Sequence, residues 1–126
     1  MNGCLFDTDV IIDYLKGHEK AVGFFQSYRG DFYVSAITIA ELYSGLKGEK
    51  EKSGLVYFLS LFDVIPVTKE IATEAGLLRR KWHRSHGMGL ADALIAATAA
   101  SQNMTLYSLK KKRYGMLDIL EVPYRK

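Results

Sequence analysis

A single cysteine in 126 residues leaves no partner for a disulfide within the chain. Long apolar runs are also missing. The hydrophobic stretches are short and broken by charges, and none approaches the roughly 20 residues that a membrane-spanning helix needs, so no membrane partner is expected. The opening residues Met1-Asn2-Gly3-Cys4 lack a charged segment followed by a long apolar one, which argues against a secretory leader and for a cytoplasmic protein. Repeats, linkers and low-complexity segments are absent as well. Disulfide scaffolds, membrane proteins and repeat arrays are thereby excluded.

What is present is a hydrophobic share of 48%, enough for one sizeable core, and a length that fits one domain over residues 1–126. The net charge is only +3, but the positive residues gather at Arg79-Arg80-Lys81, at Lys110-Lys111-Lys112-Arg113 and at Arg125-Lys126. Clusters of this kind favour polyanions, although a solvated surface would produce the same pattern.

Leu5-Phe6 read as a first strand ending at Asp7, with Cys4 beside them as a small core residue. Val10, Ile11 and Tyr14 follow at helical spacing, with Thr8 or Asp9 placed to cap their helix. Ala21, Phe25 and Tyr28 repeat at i, i+4, i+7, and Phe32-Tyr33-Val34 has the content of a second strand. Ile39, Leu42 and Leu46 form a stripe whose helix is expected to end at Gly48. After a charged turn, Glu49-Lys50-Glu51-Lys52, the residues Leu55, Phe58, Leu59 and Phe62 form another stripe. Val64-Ile65-Pro66-Val67 is a third strand, with its proline tolerable only at an edge or end. Thr68 can cap a helix with the stripe Ile71, Ala75, Leu78 and Trp82, which puts Trp82 in a core or interface rather than in chemistry. Gly87 and Gly89 precede a smooth alanine-rich helix from Leu90 to Ala100. Thr105-Leu106-Tyr107 and the short Leu120-Glu121-Val122 complete the strands. Strands alternating with helices predict an α/β protein, a three-layer α/β/α sandwich with a mainly parallel central sheet.

In such a sheet, sites form beyond the carboxyl ends of the strands, which is where Asp7 stands. Glu41 and Asp92 lie in apolar helical surroundings, and Asp92 is the only charge from Leu90 through Ala100. A carboxylate there is costly without a partner. A helix cap would satisfy Asp92 and a lysine would satisfy Glu41; the alternative is a cation shared by all three acids. Carboxylate oxygens around Mg²⁺ or Mn²⁺ with open positions for water suit phosphodiester hydrolysis, with no histidine, serine or cysteine nucleophile.

Three blocks of wording carry a resemblance. Leu5-Phe6-Asp7-Thr8-Asp9-Val10-Ile11-Ile12-Asp13-Tyr14-Leu15, Val34-Ser35-Ala36-Ile37-Thr38-Ile39-Ala40-Glu41-Leu42 and Gly89-Leu90-Ala91-Asp92-Ala93-Leu94-Ile95-Ala96-Ala97-Thr98-Ala99 together resemble VapC-like PIN domains, in order and over almost the whole chain. The resemblance implies a PIN fold, Mg²⁺ or Mn²⁺, cleavage of single-stranded or structured RNA, a homodimer whose sites face a basic groove, and a VapB-like antitoxin partner. Asp7, Glu41 and Asp92 would be the catalytic and metal-holding acids. Tyr14, Leu15, Tyr43, Leu46, Phe58 and Leu61 are candidate apolar contacts for the antitoxin, or else ordinary core.

The last block departs from the family pattern. It reads Ser108-Leu109-Lys110-Lys111-Lys112-Arg113-Tyr114, so Lys110 and Arg113 stand where an asparagine and often a fourth acid would be. Asp9 is then the preferred fourth acid, with capping of the first helix as its alternative. The cationic run Lys110, Lys111, Lys112 and Arg113 is a candidate loop for the scissile phosphate or the RNA backbone. Ser35 and Thr38 are candidates to support the acids, with capping as the alternative. Asp13, His83 and His86 are expected on a solvated surface. Two other functions remain open: a PIN-like domain that binds RNA or protein without cutting, and a phosphatase resembling the haloacid dehalogenases, which Asp7-Thr8-Asp9-Val10 also fits.

Overall fold

The computed structural model describes residues 3–126; the interpretation of Met1 and Asn2 as a leaderless start lies outside the described residues. The chain runs β1 (Cys4–Phe6), α1 (Thr8–Leu15), α2 (Glu19–Ser27), β2 (Phe32–Ser35), α3 (Ala36–Ser44), α4 (Glu49–Leu59), β3 (Asp63–Ile65), α5 (Lys69–His86), α6 (Leu90–Ser101), β4 (Thr105–Tyr107), α7 (Lys111–Tyr114) and β5 (Leu120–Glu121). The five strands form one all-parallel sheet in the order β3-β2-β1-β4-β5.

Alternation along the strands supplies the two faces of this sheet. Leu5 and Leu106 join Ala93, Ala96, Ile71 and Met88 in a core under α5 and α6. Phe6 and Val34 point to the other face and join Val10, Ile11, Phe25, Leu42 and Phe58. Phe6 is fully buried there, its ring 5.1 Å from Phe25 and 5.5 Å from Tyr107. Helices thus cover both faces, which is the three-layer α/β arrangement expected. Among the described residues no helix is long and apolar enough to cross a membrane.

Several boundaries differ from expectation for local reasons. Asp7 itself caps α1, rather than Thr8 or Asp9, because its Oδ1 accepts the Thr8 amide at 2.8 Å. Gly48 starts α4 instead of ending α3, and the Gly45 amide closes α3 on the Glu41 and Leu42 carbonyls. Glu49-Lys50-Glu51-Lys52 is therefore the first turn of α4, where acidic side chains suit the positive end of the helix dipole. β3 stops at Ile65, since Pro66 has no amide to continue the ladder. The cationic run is not a loop: Lys111–Tyr114 forms the short α7, anchored by the fully buried Tyr114.

Strand order decides where a site can form. The chain builds outward from β1 through β2 to β3, then crosses to the other side of β1 and lays down β4 and β5. Reversal of direction between β1 and β4 opens a crevice at their carboxyl ends. Phe6 pairs with Tyr107 in register, and the Asp7 amide donates to the Tyr107 carbonyl at 2.9 Å. The residue after each strand, Asp7 and Ser108, is thereby brought side by side.

Candidate active site

Asp7 is fully buried at this crevice. Its Oδ2 accepts the Ser108 hydroxyl at 2.7 Å, and the Lys110 ammonium lies 3.8 Å from the same oxygen. Burial and the negative charge of Asp9 push the Asp7 carboxyl up to about 6 from an ordinary 3.8, against the opposing pull of Lys110 and Ser108. Asp9, in the first turn of α1, accepts the Val10 amide at 2.8 Å through Oδ1 and the Leu109 amide at 3.0 Å through Oδ2. Burial raises its carboxyl too. Asp9 thus ties α1 to the segment after β4 as well as standing beside Asp7.

Asp92 reaches the same crevice from the start of α6. Gly89, not Asp92, is the N-cap of α6, and from the third helical position Asp92 reaches back so that its Oδ2 accepts the Gly89 amide at 3.0 Å. That role uses only part of its capacity. Oδ1 lies 3.2 Å from Lys110 Nζ, Oδ2 lies 3.1 Å from an Arg113 guanidinium nitrogen, and the Tyr114 hydroxyl donates at 3.3 Å. Burial alone would raise the Asp92 carboxyl, but the Gly89 amide, Lys110 and Arg113 outweigh it and hold it below the usual range. Burial pulls the Lys110 ammonium down, and Asp7 and Asp92 more than reverse this.

Glu41 is half-buried and does not pair with a lysine. Its Oε1 accepts the Thr8 hydroxyl at 2.6 Å, and that hydroxyl lies 3.1 Å from the buried Thr38 hydroxyl. Thr38 therefore supports Glu41 through Thr8, whereas Ser35 caps α3 by accepting the Ile37 amide at 3.0 Å. Asp7, Asp92 and Lys110 meet directly; Glu41 and Asp9 are held at their flanks by partners of their own. Among the described residues no set of three or more acidic, histidine or cysteine side chains is close enough to hold a metal ion together. Lys110 and Arg113 turn inward onto Asp92, while Lys111 and Lys112 are exposed.

Sequence reasoning offered Thr8 only as a helix cap, and it assigned Ser108 and Tyr114 no role. Ser108 was recoverable, since it follows the fourth strand as Asp7 follows the first, and parallel neighbours align such positions. The expectation for Asp13 is corrected. It is buried, not solvated, because the C-terminal tail covers it: the Tyr124 hydroxyl donates to it at 2.7 Å and Lys126 Nζ lies 2.9 Å away. His83 is exposed as expected, with Nδ1 3.0 Å from the Met88 carbonyl, whereas His86 is half-buried edge-on to Trp82.

The PIN domain family model matches residues 4–109. This chain belongs to the PIN domain family. Ribonuclease VapC10 of Mycobacterium tuberculosis is 37% identical over 123 residues, 95% of this chain and 92% of the relative. A toxin–antitoxin complex from Klebsiella pneumoniae contains a chain that superposes with a TM-score of 0.87 at 27% identity, covering 98% of this PIN domain and 100% of the other chain. FitAcB from Neisseria gonorrhoeae superposes with a TM-score of 0.76 at 29% identity, covering 98% of each. Family membership sets aside the phosphatase alternative, whose chemistry belongs to a different fold. Leu15 on α1, Tyr43 on α3, Tyr57 on α4 and Leu61 just after α4 are exposed, and Leu61 lines an apolar cavity of about 140 Å³ together with Tyr14, Phe25, Phe32 and Phe62. Phe58, a candidate contact by sequence, belongs to the core, with its ring stacked 4.7 Å from Tyr14.

Proposed function

We propose that this chain is a Mg²⁺- or Mn²⁺-dependent endoribonuclease that acts in the cytoplasm as the toxin of a VapBC-type pair. The observation that carries the proposal is the meeting of Asp7 and Asp92 on one cation, at the carboxyl edge where the sheet reverses direction. That cation is the Lys110 ammonium, and its position supports a place for positive charge between two carboxylate oxygens. Hard divalent ions prefer such donors. Asp7 and Asp92 would hold the ion, and Glu41 and Asp9, which stand at the flanks on partners of their own, would have to draw in to serve as the further carboxylates. When bound, it supplies a water of lowered pKa and neutralises charge developing on the phosphate.

The remaining work falls to the chain itself. Ser108 fixes the orientation of Asp7, and Thr8 fixes that of Glu41. The exposed Lys111 and Lys112 meet the RNA backbone and position it without reading sequence. The VapB-like antitoxin docks on the apolar surface of α1, α3 and α4, where an amphipathic helix could lay its hydrophobic side against Leu15 and Leu61. The reading also includes a homodimer that aligns two sites along a shared basic groove, and sedimentation of the purified chain checks it.

Cleavage of tRNAs and synthetic single-stranded RNAs by the purified protein, with Mg²⁺, Mn²⁺ or EDTA and with Asp7→Asn alongside, tests the activity. The expected result is metal-dependent cutting that Asp7→Asn abolishes while RNA binding survives, because removing an anion lessens repulsion of phosphate. A second reading, a PIN domain that binds RNA without cutting, is favoured by the double pairing of Asp92 with Lys110 and Arg113. RNA binding with no cleavage under any metal would select it.

A further inference from the structure

We propose that Lys110 is a resident cation of the acidic site, one that a divalent ion must displace, so that this side chain sets the metal affinity of the chain. The inference rests on the metal-site reading above and concerns a residue of this chain rather than the acids. Lys110 follows β4 closely, and its amide donates to Ser108 Oγ at 3.1 Å, so its backbone is fixed to the group that orients Asp7. Its side chain then turns into the crevice instead of toward solvent, with the ammonium 3.2 Å from Asp92 Oδ1 and 3.8 Å from Asp7 Oδ2. Only about a quarter of that side chain is exposed, and the carboxylates it bridges are fully or nearly buried.

Two like-charged carboxylates facing one pocket repel each other, and either a metal ion or an ammonium relieves the repulsion. Both cannot occupy one place. A divalent ion a few ångströms from a fixed ammonium would be repelled by it, so Asp7 Oδ2 and Asp92 Oδ1 become open to the ion only when Lys110 swings out. Arg113, its side chain about half exposed, also touches Asp92, with one guanidinium nitrogen 3.1 Å from Oδ2 and 3.4 Å from Oδ1. Its shorter contact is to Oδ2, which it can keep while Lys110 releases Oδ1. The long, flexible lysine stem allows that exchange, and the displaced ammonium joins the exposed Lys111 and Lys112 on the face where a phosphate backbone would lie.

The test is calorimetric titration of Mn²⁺ into the metal-free wild type, Lys110→Met, Lys110→Gln and Asp7→Asn. The expected result is binding roughly tenfold or more tighter in both Lys110 variants than in wild type. Their melting temperatures in EDTA should fall below that of wild type and recover with Mn²⁺, because without the ammonium the acids depend on the metal. In the wild-type chain, reductive methylation of Lys110 read by mass spectrometry should rise several-fold on saturation with Mn²⁺, with Lys111 and Lys112 as unchanged internal references. That measurement needs no variant to fold. Binding to the Lys110 variants but not to wild type supports the proposal in its strongest form. Mn²⁺ that binds wild type, is lost in Asp7→Asn and is indifferent to both Lys110 variants, with no change in labelling, overturns this inference and leaves the metal site standing. No Mn²⁺ binding to any of the four proteins overturns both.

Discussion

At the scale of single residues, Asp7 serves the fold and the site at the same time, and the two demands conflict. Its backbone pairs with β4, its side chain caps α1, and its carboxyl is buried beside that of Asp9. Because burial lifts it from 3.8 to about 6, the folded chain binds this proton more tightly than the unfolded chain does. Between about pH 4 and pH 6 the folded state therefore holds more protons, and its stability falls as pH rises through that window. Asp7→Asn keeps one oxygen to accept the Thr8 amide, presents its NH2 to the Ser108 hydroxyl, which can accept instead of donate, and carries no charge. In EDTA at pH 7.5 the variant is expected to be more stable than wild type, by up to roughly 3 kcal/mol. At pH 3.5, where Asp7 is protonated in the folded chain and mostly so in the unfolded one, the difference should nearly vanish. Urea denaturation at the two pH values checks this, and equal stabilities at pH 7.5 would mean that the buried charge is already compensated. The same proton competes with any metal held by Asp7, so metal affinity should weaken as pH drops through about 6.

At the scale of elements, α6 shows how small residues set a distance. Ala93, Ala96, Ala97 and Ala99 are all buried, so the helix lies close on the sheet and carries Asp92 to the crevice. Ala96 differs from Ala93 in one respect: it lines a cavity of about 390 Å³ between α5, α6 and the segment before β5. Ala93→Leu should therefore cost about 1–3 kcal/mol by overpacking, whereas Ala96→Leu can grow into the cavity and should cost clearly less. Chemical denaturation of the two variants measures the difference directly, and equal losses would mean that the cavity walls are rigid. Elements of this kind were largely legible in the sequence, because apolar spacing reports which side of a helix or strand is covered. Glu41 and Asp92 stood out for the same reason, as charges inside apolar stripes. The short α7 was not legible, since Lys110-Lys111-Lys112-Arg113 has no apolar period and its one anchor, Tyr114, is a single residue. Asp7 as a cap was hidden because one residue ends β1 and starts α1 together. The inward turn of Lys110 was hidden too, since a lysine run reads as solvated surface until the strand register places it beside two buried acids.

At the scale of the whole molecule, α1 is held at both ends by parts of the chain remote in sequence. Its start is tied to the segment after β4 through Asp9 and the Leu109 amide. Near its far end Asp13 receives the C-terminal tail, through the Tyr124 hydroxyl and the Lys126 ammonium, while the Arg125 carbonyl accepts from Lys20 and the His18 ring stacks on Tyr124. No local pattern around Asp13 could reveal partners that arrive at the end of the sequence. Burial alone would raise the Asp13 carboxyl, but Lys126 and Tyr124 outweigh it and hold it below its ordinary 3.8. A carboxyl lowered on folding contributes stability above its unfolded value, and that contribution is lost as pH falls through the lower folded value. Asp13→Asn should therefore destabilise the protein at pH 7, and its disadvantage should shrink as pH is lowered below about 4. Tyr124→Phe, which leaves Asp13 with one partner fewer, should cost about 1 kcal/mol at pH 7. Because α1 presents Asp7, Thr8 and Asp9 at its other end, loosening the tail should also reach the crevice. Hydrogen exchange at the Thr8 and Val10 amides, both bonded to these acids, should be faster in Tyr124→Phe than in wild type. Exchange that quickens only around Asp13 would show that the tail braces one end of the helix and leaves the site untouched.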